Sequence, residues 1–329
     1  MPSTLALRRR DMIVGSAAAT LPAAANAAET FWTARYTAKK GDVSLAVYRK
    51  RTTPPRPGQM KRPVLFLVHG SSISALPSFD LTVPGAGEYS LMNVFARWGF
   101  DVWTMDHEGY GKSTVTAGNS DVASGVADLQ AVMPLLEHET GQTRFHFMGE
   151  SSGAIRAGAF AVAAPDRVDR LVLEAFTYTG KGSPTLAKRG EQTEFYRTHN
   201  RRPRGRDMIA SIFTRDKPGT SDPRVAEAMA NAEMPNGDSV PTGTYLDMTA
   251  NLPLVDPLKL TRPTLMVRGE YDGISTDEDL LDFFAKLPVP DKQYAVIPGA
   301  AHSVTLSYAR RALWHVMRSF LTMPVEKAV

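Results

Sequence analysis

The run Val64-Leu65-Phe66-Leu67-Val68 constrains the fold most: five consecutive apolar residues that end in His69-Gly70. A strand with one wet face alternates polar and apolar residues. A short run without alternation reads as a strand buried on both faces, as in a parallel sheet covered by helices. Further strands are predicted at Phe100 to Met105, Phe145 to Met148, Val168 to Phe176, Thr264 to Arg268 and Tyr294 to Ile297. Two alternating runs, Phe31 to Tyr36 and Val43 to Tyr48, read as edge strands. Helical spacing falls between the strands, over Glu88 to Trp98, Ser120 to Glu139, Ala154 to Ala164, Asp277 to Leu287 and Tyr308 to Phe320. Ser120 or Asp121 is a suitable N-cap for the second of these. This rhythm predicts an α/β chain with a mostly parallel eight-stranded sheet flanked by helices.

One stretch breaks the rhythm. From 177 to 260 there is no strong strand pattern, only helical fragments rich in Pro and Gly, and the expectation is a helical cap inserted into a core of 28–176 and 261–329. Its segment 181–206 holds eight Lys or Arg against two Glu. Such a run either faces a pocket and attracts an anion or forms a solvated face, and the pattern alone favours the solvated face. Met208, Ile209, Ile212 and Phe213, with Met229, Met234, Leu246 and Met248, suit either an adaptable apolar lining or packing between cap and core.

The first residues read as an address. Arg8 to Arg10 precede a mildly apolar run from Met12 to Leu21, and Ala25-Asn26-Ala27 follows. This is the order of a signal peptide, here 1–27. Arg9-Arg10-Asp11-Met12-Ile13 resembles a twin-arginine export signal, which implies a periplasmic or secreted protein. The apolar run is too short and weak for a stable membrane span.

Composition removes other classes. With no Cys among 329 residues there is no disulfide, thiolate metal site or Cys nucleophile. A formal charge of +4 does not demand nucleic acid, and few aromatics in the basic segment would stack bases. Three apparent motifs fail on spacing. Gly111-Lys112-Ser113 lacks the earlier P-loop glycine, since position 106 is Asp; Gly85-Ala86-Gly87 lacks a third glycine; and His138-Glu139 lacks a second histidine at Gln142. No cofactor, metal or nucleic-acid partner is expected, only a small-molecule substrate.

Gly149-Glu150-Ser151-Ser152-Gly153 leaves a predicted strand and opens a predicted helix, the context required of a G-x-S-x-G nucleophile elbow. Four further landmarks stand in order around it: Val68-His69-Gly70-Ser71, Asp106-His107-Glu108-Gly109-Tyr110-Gly111-Lys112-Ser113, Arg268-Gly269-Glu270-Tyr271-Asp272 and Pro298-Gly299-Ala300-Ala301-His302. Together they resemble the α/β-hydrolase-fold serine hydrolases that carry a cap, over roughly residues 40 to 320.

The resemblance implies the α/β-hydrolase fold and a set of roles. Ser151 would be the nucleophile, His302 the base, and Asp272 the acid that orients it, with Glu174 as the rival acid. The backbone N–H groups of Ser71 and Ser152 would form the oxyanion hole. Ser72 and Tyr178 are candidate substrate contacts, and for Tyr178 plain packing fits equally well. His69 and His107 are expected to shape their loops. The implied reaction is cleavage of a carboxylic ester. The same residues also suit an amide, a lactone or a C–C bond, and a non-catalytic binding protein of this fold is the remaining alternative.

Overall fold

The structure, a computed structural model, describes residues 30–324. The predicted signal segment lies outside the described residues.

Eight strands form one sheet. They are β1 (Trp32–Lys40), β2 (Val43–Arg51), β3 (Val64–Val68), β4 (Asp101–Met105), β5 (Phe145–Glu150), β6 (Val168–Glu174) and, after an insert with a two-stranded ribbon of β7 (Arg201–Pro203) and β8 (Ser239–Pro241), β9 (Thr264–Gly269) and β10 (Lys292–Ile297). The sheet order is β1-β2-β4-β3-β5-β6-β9-β10. β1 and β2 form an antiparallel hairpin, and β2 lies antiparallel to β4. All other pairings are parallel. β2 is therefore interior, not an edge: its hairpin partner β1 takes that place. The chain has the α/β-hydrolase fold that the landmarks led one to expect.

Burial on both faces follows the pleat. Phe66, Phe147, Leu171 and Met266 point to one side, with α3 (Val122–Thr140), α4 (Ser152–Ala163) and α10 (Asp277–Lys286) packed on them. Leu65, Leu67, Met148, Val172 and Leu265 point to the other, under α2 (Leu91–Arg97) and α11 (Arg310–Leu321). Truncation of a fully buried Phe147 to Ala would cost about 3–5 kcal/mol. Asp121 caps α3 through Ser124 N–H at 2.7 Å, while Gly141 ends it in the left-handed region at φ 63°.

The insert between β6 and β9 is mainly helical: α5 (Pro184–Gly190), α6 (Thr193–Thr198), α7 (Arg206–Ser211), α8 (Pro223–Glu233) and α9 (Gly243–Leu246). The short ribbon of β7 and β8 within it is one departure from the sequence reading, since three-residue strands are too brief to show a period. A second is α1 (Ala75–Phe79), one turn long and just past β3. Among the described residues no helix is long and apolar enough to cross a membrane.

Candidate active site

In a parallel sheet the loops at the carboxyl ends of the strands share one rim, where sites form. Ser71 follows β3, Ser151 follows β5, Asp272 follows β9 and His302 follows β10. The topology thus gathers four of the singled-out residues before any side-chain detail matters.

The turn at Ser151 is sharp: its φ is 58° and its ψ −125°, a conformation that costs a side-chain-bearing residue about 1–3 kcal/mol. Its backbone N–H is held by Glu174 O at 2.9 Å. A Cβ on Gly149 would lie 2.3 Å from Gly153 O, and one on Gly153 would lie 2.2 Å from Val68 O. Both glycines are required so that α4 can leave β5 this abruptly.

The side chains meet in series. Ser151 Oγ is 2.9 Å from His302 Nε2, and His302 Nδ1 is 2.9 Å from Asp272 Oδ1. A carboxylate only accepts, so Nδ1 carries the proton and Nε2 is left to accept from the serine hydroxyl. Asp272 Oδ1 also accepts from Ile274 N–H at 2.8 Å and Ser275 N–H at 3.0 Å. Burial alone would raise its carboxyl, but His302 and these two donors overturn that and hold it below its ordinary value.

A family model described as serine aminopeptidase, S33 (Hydrolase_4) matches residues 83–307, more than half the chain and all three of these side chains. The chain belongs to this family of hydrolases. A 2-hydroxy-6-oxononadienedioate/2-hydroxy-6-oxononatrienedioate hydrolase of Paraburkholderia phymatum is 34% identical over 128 residues, a stretch spanning 37% of this chain and 38% of that relative. A solved hydrolase from Pseudomonas aeruginosa superposes with TM-score 0.66 at 22% identity, over 88% of this chain and 98% of that one. A carboxylesterase from Bacillus subtilis does so with TM-score 0.60 at 16% identity, over 89% and 93%. At such identities these two structures bear on the fold alone.

In this S33-family chain the loop after β3 is braced from several sides. Ser71 Oγ is 2.6 Å from Ser152 Oγ and accepts from Thr244 Oγ1 at 2.8 Å, and Ser71 O accepts from Tyr110 O–H at 2.9 Å. No bond occupies the backbone N–H of Ser71 or Ser152 among the described residues. His69 Nδ1 is 2.8 Å from Gly70 O, and His69 Nε2 accepts the His107 N–H at 3.1 Å. Burial holds both imidazoles well below their ordinary pKa, so they are neutral and fix the loop by hydrogen bonds. His107 in turn bonds Asp128 at 3.0 Å, not Glu108.

Ser151 and His302 open into a small cavity of ≈ 50 Å³, walled in part by Ile212, Phe213 and Met229 of the insert. A larger cavity of ≈ 670 Å³ shares Ser72, Arg189, Ile212 and Arg215 with it. Ser72 lines both and bonds Tyr245 O–H at 2.6 Å. Tyr178 lines neither. Its N–H is bound by Asp279 Oδ2 at 2.9 Å, which ties it to α10, and its ring packs edge-on against Phe283. The substrate-contact expectation for Tyr178 is therefore corrected to packing.

Glu174, the rival acid, does not touch His302. It is fully buried at the end of β6, in register with Glu150 at the end of β5. Burial and the charges of Glu150 and Asp272 push its carboxyl well above its ordinary value. Burial likewise pushes Glu150 up to about 7, against the opposing effects of His302 and the Thr305 hydroxyl.

Sequence reasoning missed Asp216, which brings a second carboxylate within 4.8 Å of His302 and Asp272. Asp272 and His302 already bond to each other. No motif marks Asp216, because it reaches the site only when the insert folds over the rim.

Proposed function

We propose that this S33-family hydrolase cleaves a carboxylic ester through an acyl-enzyme on Ser151. The hydrogen-bonded series Ser151, His302, Asp272 at three strand ends carries the reading. Ser151 Oγ attacks the carbonyl carbon while His302 Nε2 takes its proton. The tetrahedral oxyanion is held by the N–H groups of Ser71 and Ser152, each such donor being worth about 10²–10³ in rate. Collapse expels the alcohol, which takes the proton from His302. Water, deprotonated by His302, then releases the acid and regenerates Ser151. Asp272 keeps the tautomer and stabilises the imidazolium throughout. On this reading residues 177–260 act as a cap over the acyl pocket.

A second reading is favoured by the Paraburkholderia phymatum match, whose name denotes a dienedioate hydrolase. The same attack by Ser151 on a ketone would release a carbon leaving group, protonated by His302. A short-chain p-nitrophenyl ester, offered to the full chain and to Ser151→Ala, is the test. Turnover that disappears in the variant supports the acyl-enzyme. Equal slow activity in both removes simple esters and turns attention to vinylogous diketones. The Arg9-Arg10 leader supports export to the periplasm, and recovery of the protein solely in the cytoplasmic fraction would refute that reading.

A further inference from the structure

The basic segment 181–206 does not behave as one charged face. Of its eight cations, five have partners. Lys181 pairs with Glu278, Arg197 with Glu194 and Arg204 with Glu233. Arg201 donates to Ser239 and Gly109 O, and Arg206 donates to Asn231. Lys188, Arg189 and Arg202 have neither an ion pair nor a side-chain hydrogen bond among the described residues. Those three are the ones that line the larger cavity.

Two of them share a platform. The guanidinium of Arg189 stands 5.3 Å from the ring centroid of Tyr245 and that of Arg202 stands 4.8 Å from it. Tyr245 is buried and packs at a tilt of 33° against buried Tyr196, so the platform is held from below. Arg215 reaches the same wall, but Asp216 neutralises it at 3.0 Å. Arg189 comes from α5, Arg202 from β7, Arg215 from beyond α7 and Tyr245 from α9. Cations drawn from separate segments to one wall repel each other, and a half-buried guanidinium without an anion costs free energy. Burial and the neighbouring Arg215 and Arg202 push the Arg189 guanidinium down to about 10 against the help of Tyr245 and Tyr196. An aromatic face offsets only part of that cost. A carboxylate opposes the charge directly and presents two oxygens that match the paired N–H donors of the planar guanidinium.

We propose that Arg189 and Arg202, over Tyr245, form a subsite for a carboxylate carried by the substrate remote from the scissile carbonyl. This rests on the reading of the adjoining Ser151 cavity as the acyl-transfer site. The two cavities share Arg189, Ser72, Ile212 and Arg215, so a ligand at Ser151 reaches this wall without leaving the cavity system. Tyr245 O–H bonds Ser72, one residue past Ser71, and so links the platform to the oxyanion loop.

The test has a binding arm that needs no chemistry. Suberate, suberamide and inorganic phosphate are titrated calorimetrically into full-chain Ser151→Ala. The same three compounds are tested as competitors of neutral p-nitrophenyl ester turnover by the unsubstituted protein. Suberate is expected to bind at least roughly tenfold more tightly than suberamide, and to weaken at least roughly tenfold in Arg189→Met and in Arg202→Met. Added salt should weaken it further. If Arg189→Met does not fold, Arg202→Met carries the same test alone. Equal binding of suberate and suberamide, or suberate affinity unmoved in the folded variants, overturns the subsite. Phosphate binding as tightly as suberate overturns the carboxylate class in favour of a phosphate. Suberate binding that depends on Arg189, with no ester turnover, keeps the subsite and removes the ester reading.

Discussion

Glu150→Gln should stabilise this protein by an amount that grows as pH rises from the ordinary carboxyl value of 4.5 through the folded value of about 7. Glu150 and Glu174 end adjacent parallel strands in register, so their side chains leave the same face of the sheet. Burial pushes Glu150 up to about 7 from an ordinary value of 4.5. An acid whose folded pKa is raised favours the native state fully below its unfolded pKa, and that contribution is lost as pH rises through the folded value. The shift corresponds to a loss of about 3 kcal/mol at most by alkaline pH, less where the cavity admits water. Gln keeps the shape and the acceptor for Thr305 O–H, and it cannot ionise. The gap between variant and parent should therefore be near zero at about pH 4 and reach about 1–3 kcal/mol by about pH 9. Urea unfolding followed by tryptophan fluorescence at both pH values measures it. A gap that is constant with pH, or one that opens on the acid side, refutes the burial-raised Glu150 carboxyl.

Other outcomes follow from the same geometry. Asp272→Asn should lower kcat by about 10²–10⁴ with a small change in KM, while Glu174→Gln stays within a few-fold, because only Asp272 bonds His302; steady-state kinetics on one ester separates them. Gly153→Ala should destabilise by more than about 3 kcal/mol, read by denaturant midpoint, since the new methyl meets two consecutive backbone carbonyls, Val68 O at 2.2 Å and His69 O at 2.6 Å. Ser152→Ala removes the bond to Ser71 Oγ but keeps the N–H that faces the oxyanion, so kcat should fall by less than about tenfold. A larger fall would place the Ser152 hydroxyl itself in the chemistry.

What was legible in the chain follows from what is local. The elbow is spelled by short-range collisions: Gly149 and Gly153 must lack a Cβ, so the sequence around Ser151 announces its own turn. Runs without alternation announce strands buried on both faces, and the strand ends announce the rim. The antiparallel place of β2 was not legible, because pairing with β4 is decided by two segments far apart in sequence. Nor was the role of Tyr178, because it depends on Asp279 and Phe283 of α10.

The insert shows the limit most sharply. A charge run in sequence has one sign and no partners, so every Lys and Arg in 181–206 looks equivalent. Folding makes them unequal by supplying anions to some: Glu278, Glu194 and Glu233 come from three different places in the chain. Those left without an anionic partner among the described residues, Lys188, Arg189 and Arg202, are the informative ones, and they are identified by subtraction after the charge map is assembled. The residues that make a bond react are constrained by backbone geometry and can be read locally. The residues that choose the substrate are constrained by what the rest of the fold fails to neutralise, and that is a property of the tertiary structure.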